Sequence, residues 1–211
     1  MQRSFEPEIL DGDGVPPDVV ERAHRGLRLT HTLLGNRAAI LRALGRDGRP
    51  LGRVLDVGCG HGGMLADIRS RLGVDVIGAD LKPPANPLVP IVRADATRDQ
   101  LPRADVAISV CFAHHLTDDQ FVDLIRNVGR SCRRFIILDL VRSRIPLLLF
   151  RMAAPLVLSP VNVADGALSI RRAFTPAEFR ALVRRALNGA PFRHTVAPFL
   201  IRQIADITYP T

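Results

Sequence analysis

Apolar positions along this chain change their spacing several times, and each change marks an element. Val54 to Val57 is a short apolar run holding one acid. The glycine-rich stretch Gly58 to Gly63 follows, and then Met64, Leu65, Ile68 and Leu72 recur at helical spacing. The pattern predicts strand, tight turn and helix. Four more apolar runs, at 74–79, 88–93, 105–110 and 134–140, predict further strands. Helical stripes lie behind two strong starts. Thr117 with Gln120 precedes Phe121, Leu124, Ile125 and Val128, and Thr175-Pro176-Ala177-Glu178 precedes Phe179, Leu182, Val183 and Leu187, with Gly189 as the stop. Strands alternating with helices predict an α/β fold around a parallel sheet. The last two runs, 192–197 and 199–207, are separated only by Pro198, and so short a turn demands an antiparallel pair. The expected architecture is an open sheet of seven strands, mostly parallel with a C-terminal antiparallel hairpin, with helices on both faces.

Residues 1–17 are polar and rich in Gly and Pro and are expected to form a flexible lead-in. From Asp18, the positions Val19, Val20, Ala23, Leu27 and Leu34 mark one helix face that stops near Gly35, and Ile40, Leu41 and Leu44 mark a second helix ending at Gly45. Residues 1–50 are therefore read as a lead-in and helical cap on a core at 51–211, the whole 1–211 forming a single domain. Segment 141–173 is apolar from Ile145 to Phe150 and from Ala153 to Val163, but Arg151 and several prolines interrupt it too often for a membrane span. It reads either as a lid over an apolar substrate or as plain core helix.

The central turn carries the chemistry. Gly58, Gly60 and Gly63 fit the dinucleotide pattern G-x-G-x-x-G, which alone does not name a ligand. Asp56, two residues before the first glycine, would repel a pyrophosphate but can accept hydrogen bonds from an ammonium. Asp80, at the end of the second strand, stands where a carboxylate can accept both hydroxyls of a ribose. An acid, a spacer and glycines in this order resemble the first motif of the class I S-adenosylmethionine-dependent methyltransferases, over about residues 36–211. The resemblance implies a Rossmann-like sheet and S-adenosyl-L-methionine as cofactor. It also implies that Asp95 takes the adenine amino group, that the Ala96 N–H bonds the ring, and that Leu81 and Cys111 belong to the cofactor wall. Arg37, beside Asn36 in the joint of the two cap helices, is the implied holder of the cofactor carboxylate.

Transfer from a sulfonium is a direct displacement whose thioether leaves without a proton, so positioning carries most of the acceleration. A base becomes useful when the acceptor is a hydroxyl. His115 and His114 follow the fourth strand, and with Asp139 at the end of the fifth they emerge at the carboxyl edge of the sheet, where ligands bind in such folds. They are the candidate bases. The segments LLGNRAAILRAL and SIRRAFTPAEFRAL resemble small methyltransferases associated with bacterial type III polyketide synthases. That likeness implies O-methylation of a hydrophobic phenolic or polyketide molecule, with Arg144, Arg171 or Arg172 orienting its polar head.

Charge changes this picture little. The 211 residues carry a net charge of +8, but Lys82 is the only lysine and the arginines are spread along the chain. One tyrosine and no tryptophan are poor provision for stacking bases, which disfavours nucleic acid as partner. Cys59, Cys111 and Cys132 suit neither a disulfide framework nor a metal site and fit a reduced cytoplasm. The Asp-Gly-Asp-Gly run at 11–14 lacks the spacing of a calcium loop. The N-terminus has no apolar signal core, and membrane contact is expected only as a transient surface event. Three rivals stay open: an NAD-dependent oxidoreductase, a nucleic-acid methyltransferase, and a catalytically silent protein of the same fold.

Overall fold

The computed structural model describes residues 1–12 and 14–210, with the side chains of Asp11, Pro17, Asp18, Val20, Glu21, His24 and Leu27 left out. The expected apolar positions Val20 and Leu27, and the two acids of the Asp-Gly-Asp-Gly run, thus lie outside the described residues. Seven strands form one sheet: β1 Arg53–Val57, β2 Asp75–Asp80, β3 Ile91–Arg93, β4 Ala104–Val110, β5 Cys132–Asp139, β6 Arg193–Val196 and β7 Gln203–Thr208. Their order is β3-β2-β1-β4-β5-β7-β6. β1 to β5 run parallel, whereas β7 is antiparallel to both β5 and β6.

Period-two alternation explains how one sheet carries two cores. Successive side chains on a strand point to opposite faces. Leu55, Val57, Phe135 and Ile137 join one apolar cluster with Phe121, Leu124 and Ile125 of helix α4 (Asp118–Val128) and Phe179 and Val183 of α7 (Pro176–Ala186). Val54, Ile108, Ile136 and Leu138 face the other way, onto Ile40 of α2 (Asn36–Leu44) and Leu65 and Ile68 of α3 (Gly63–Leu72). Each of these large side chains is fully buried or nearly so, a gain of about 1.5–3 kcal/mol apiece. Both expected capping boxes form: Thr117 with Gln120 starts α4, and Thr175 with Glu178 starts α7.

Two expectations about the periphery change. The β6–β7 connection is not a single residue: pairing ends at Val196↔Gln203, and a short 3-10 turn at Pro198–Leu200 bridges them. One proline cannot reverse an antiparallel ladder, and Phe199 and Leu200 both take positive φ to make the bend. The first helix, α1, begins at Pro17 and ends at Leu33. The N-terminal residues are no free lead-in but a strap against α6 (Pro160–Arg172). The Ser4 N–H donates to the Arg171 carbonyl, and the Ile9 and Leu10 N–H groups donate to the Asp165 carboxylate. Arg3 reaches the Arg172 and Leu116 carbonyls while its guanidinium lies 3.8 Å from the Phe174 ring centre. Segment 141–173 resolves into α5 (Arg144–Ala153), a 3-10 turn and α6. Among the described residues no helix is long and apolar enough to cross a membrane.

Candidate active site

Strand order reverses between β1 and β4, and crevices in open α/β sheets form at that switch point, beyond the carboxyl ends of the strands. A cavity of about 610 Å³ lies there. It brings together seven of the residues singled out above: Arg37, Asp56, Gly58, Gly60, Cys111, His114 and His115. Gly58 has φ +72°, and a Cβ added to it would come within 2.4 Å of the Phe112 ring, so only glycine fits there. Asp80 braces the turn: its carboxylate accepts from the Gly60 N–H at 2.8 Å and from the Lys82 N–H at 2.9 Å.

Asp56 is the most exceptional group in the cavity wall. It is 3% exposed, and its Oδ1 has no hydrogen-bond partner. Burial, reinforced by the nearby charge of Asp80, raises its pKa well above the usual carboxylate range. A second orphaned acceptor faces the same space. The Asn36 amide nitrogen lies 3.1 Å from His31 Nδ1, and burial, with Arg37 nearby, lowers the His31 pKa to about 4, so the ring is neutral and can accept. That choice turns the Asn36 oxygen away from His31, and it too is buried without a partner. Two buried acceptors without donors cost free energy in the free protein. They suit a ligand that brings hydrogen-bond donors and a positive charge.

The histidine pair occupies the short 3-10 turn Ala113–His115 after β4. The two rings are tilted against each other, 4.3 Å between centres, yet their surroundings differ. The His114 side chain is 2% exposed; its Nδ1 donates to Asp139 at 2.7 Å and its Nε2 lies 3.6 Å from Glu8. Burial opposes charge on this ring, but the two flanking carboxylates outweigh it and raise the pKa to about 9. His114 is therefore an imidazolium at neutral pH and cannot accept a proton. The His115 side chain is 25% exposed, lines the cavity, and holds its Nε2 3.9 Å from the same Glu8. Of the two candidate bases, geometry favours His115. Glu8, His114 and His115 also bring one ligand atom each within 4.8 Å of one another, close enough to hold a metal ion. The positive charge on His114 already balances the Glu8 carboxylate there.

Asp80, Leu81, Asp95 and Ala96 lie outside the cavity lining. Leu81 is exposed beyond β2, and Ala96 is buried with its carbonyl accepting from the Asn127 amide. The Asp95 carboxylate accepts from the Thr97 N–H and hydroxyl and meets Arg98 at 3.1 Å, as a turn aspartate does. Arg37 lines the cavity from the first turn of α2 but pairs with Asp67 at 2.9 Å. Cys111 lines it with a thiol that burial, then Asp139 and Glu8, holds far above its ordinary pKa, so it is wall and not nucleophile. The arginines expected to orient a polar head do otherwise. Arg172 donates to the Glu6 and His115 carbonyls, Arg171 pairs with Glu6, and Arg144 is exposed. All three are absent from the cavity lining, because the strap has claimed two of them.

Sequence reasoning missed Glu8 and passed over Asn36 in favour of its neighbour. Nothing near Glu8 marks it, since its partners are supplied by the turn after β4 and by α6 once the chain has folded. Asn36 carried a signal: a polar residue at the start of an apolar helix, in the joint where a ligand contact was expected.

Comparison with known proteins gives the family and the fold. A family described as a methyltransferase domain matches residues 28–144. The chain belongs to that family and is a methyltransferase. A comparison with curated proteins found no match. Among solved structures, the plantazolicin methyltransferase BpumL in complex with S-adenosylhomocysteine superposes with a TM-score of 0.68 at 15% identity, covering 95% of this chain and 93% of that one. Human N-acetylserotonin methyltransferase in complex with S-adenosylmethionine gives 0.62 at 17% identity, covering 100% of this chain and 63% of that one. The methyltransferase domain of a bacterial Hen1 gives 0.60 at 15% identity, over 85% and 99%. These likenesses show the same seven-stranded Rossmann-like fold.

Proposed function

We propose that this methyltransferase uses S-adenosylmethionine to methylate a hydroxyl group on a hydrophobic, phenolic or polyketide-like small molecule. One observation carries the reading. One cavity is lined by the glycine turn and Asp56, by His115, and by an apolar wall of Pro146, Leu149, Phe150, Ala153 and Val157. Bound there, S-adenosylmethionine supplies an electrophilic methyl group on a sulfonium. Asp56 and the Asn36 oxygen would receive its ammonium, and Asp80, at the end of β2 beside the turn, would accept from its ribose hydroxyls. The apolar wall from α5 and the following turn takes the acceptor's hydrocarbon and keeps water away. His115 takes the hydroxyl proton as oxygen attacks, with the Glu8 carboxylate 3.9 Å from its Nε2.

The test is incubation with S-adenosylmethionine and a panel of alkylated phenols and pyrones, set beside a small basic peptide and an RNA oligonucleotide, with products read by mass spectrometry. Gain of one methyl group on a phenolic oxygen supports the reading. Methylation confined to the peptide or the RNA overturns it.

A further inference from the structure

Helix α5 presents two apolar faces. One lines the cavity through Pro146, Leu149 and Phe150. The other carries Ile145, Leu148 and Met152 and continues beyond the helix end into Leu156, all of them exposed and none of them in the cavity lining. Leu148 is 61% exposed, Met152 67% and Leu156 83%. Phe199, 71% exposed, sits in the 3-10 turn that packs beside α5. Large aliphatic side chains held this far into water on one helix and its extension mark a surface made to be covered.

Charge says what covers it. From Leu140 to Ala164 there is no Asp or Glu, while Arg144 and Arg151 are exposed at the two ends of α5. The chain as a whole carries +8. A second copy of the chain would bring these cations face to face. An anionic bilayer instead accepts the aliphatic side chains below its headgroups and the guanidinium groups among them, the arrangement of an interfacial amphipathic helix.

We propose that α5 and the turn after it dock this protein onto the surface of an anionic lipid bilayer, lying in the interface without crossing it. The cavity's apolar wall then sits directly above the lipid. An acceptor dissolved in the bilayer would have only the thickness of one helix to pass, a consequence that rests on the function proposed above; the docking itself does not.

The test is flotation of the full-length protein with vesicles of pure phosphatidylcholine and of phosphatidylcholine mixed with phosphatidylglycerol, beside the double variant Leu148→Ser/Leu156→Ser. Neither position lines the cavity, so S-adenosylhomocysteine binding by the variant reports that it is folded. The expected result is flotation with the anionic vesicles, weakened at least about tenfold by the double substitution and by added salt. Protein that stays at the bottom with both vesicle types overturns the proposal. So does a variant that floats as the parent does, or a dimer in lipid-free buffer that the double substitution dissolves. A protein that floats but methylates no phenol would retain the docking surface and refute the acceptor class.

Discussion

At the glycine turn, Asp56 and Asn36 bury acceptor oxygens that have no donor, whereas under the N-terminal strap Glu8, His114 and Ser169 are joined to one another and to one oxygen of Asp139. Both places are polar, buried and part of one cavity wall, so burial does not distinguish them. Partnership does. The turn is arranged for a ligand that brings donors, and the free protein bears the cost of waiting for it. In the strap region the His114 ring is paired on both sides by carboxylates, and only the second oxygen of Asp139 is left without a partner.

The largest effect should come from the boundary between the two. His115→Ala is expected to lower the methyl-transfer rate constant by about 10²–10⁴-fold while leaving S-adenosylhomocysteine affinity within twofold. Equal loss of rate and affinity would place His115 in the cofactor cradle and blur the distinction. The next test is Asp56→Asn, which keeps the shape and removes the charge. Loss of a charge-assisted hydrogen bond, about 1.5–3 kcal/mol, should weaken S-adenosylhomocysteine about ten- to a hundredfold. The free variant should nevertheless melt at a higher temperature than the parent. Because the folded pKa of Asp56 is raised, the parent's stability is greatest at low pH and falls as pH rises above the ordinary aspartate range. Thermal melts of the free variant should lose that dependence.

Gly58→Ala should cost about 1–3 kcal/mol of stability, since the new methyl group meets the Phe112 ring at an unfavourable φ. Denaturant titration reads this directly. In the strap region the sign of the pH response reverses with the chemistry. His114 gains its proton's stabilisation fully below an unfolded pKa near 6.5 and loses it as pH rises through about 9. Protease cleavage near Glu8 should be slow at neutral pH and speed up above pH 9, and His114→Gln should remove the transition. The smallest change is expected from Arg37→Ala. The cation is already matched by Asp67, so cofactor affinity should fall less than threefold, by calorimetry.

The same division explains what the sequence made legible. The turn is written in local sequence: Asp56 lies near the end of β1, the glycines follow at once and Asp80 ends β2, so strand periodicity places them at one edge. The cores were legible for the same reason, as the buried stripe of Phe121, Leu124, Ile125 and Val128 shows. The strap was not. Arg3, Glu8 and the Ile9 and Leu10 amides find partners on elements more than a hundred residues away, and a polar, glycine-rich segment carries no periodicity to announce docking. The β6–β7 bend was misread because Pro198 looked like the whole turn, when the ladder needed Pro198–Leu200 and two positive φ angles to reverse. Asp95 sits where the motif puts it, yet its hydrogen bonds to Thr97 are ones that spacing alone does not reveal.

The most direct measurement is isothermal titration of the purified protein and of its Asp56→Asn variant with S-adenosylhomocysteine, with NAD as the parallel titrant. Micromolar binding of S-adenosylhomocysteine by the parent, at least tenfold weaker binding by the variant and no heat from NAD is the predicted result. Binding of NAD, or undiminished affinity in the variant, would contradict the assignment of the orphaned acceptors to the cofactor's ammonium.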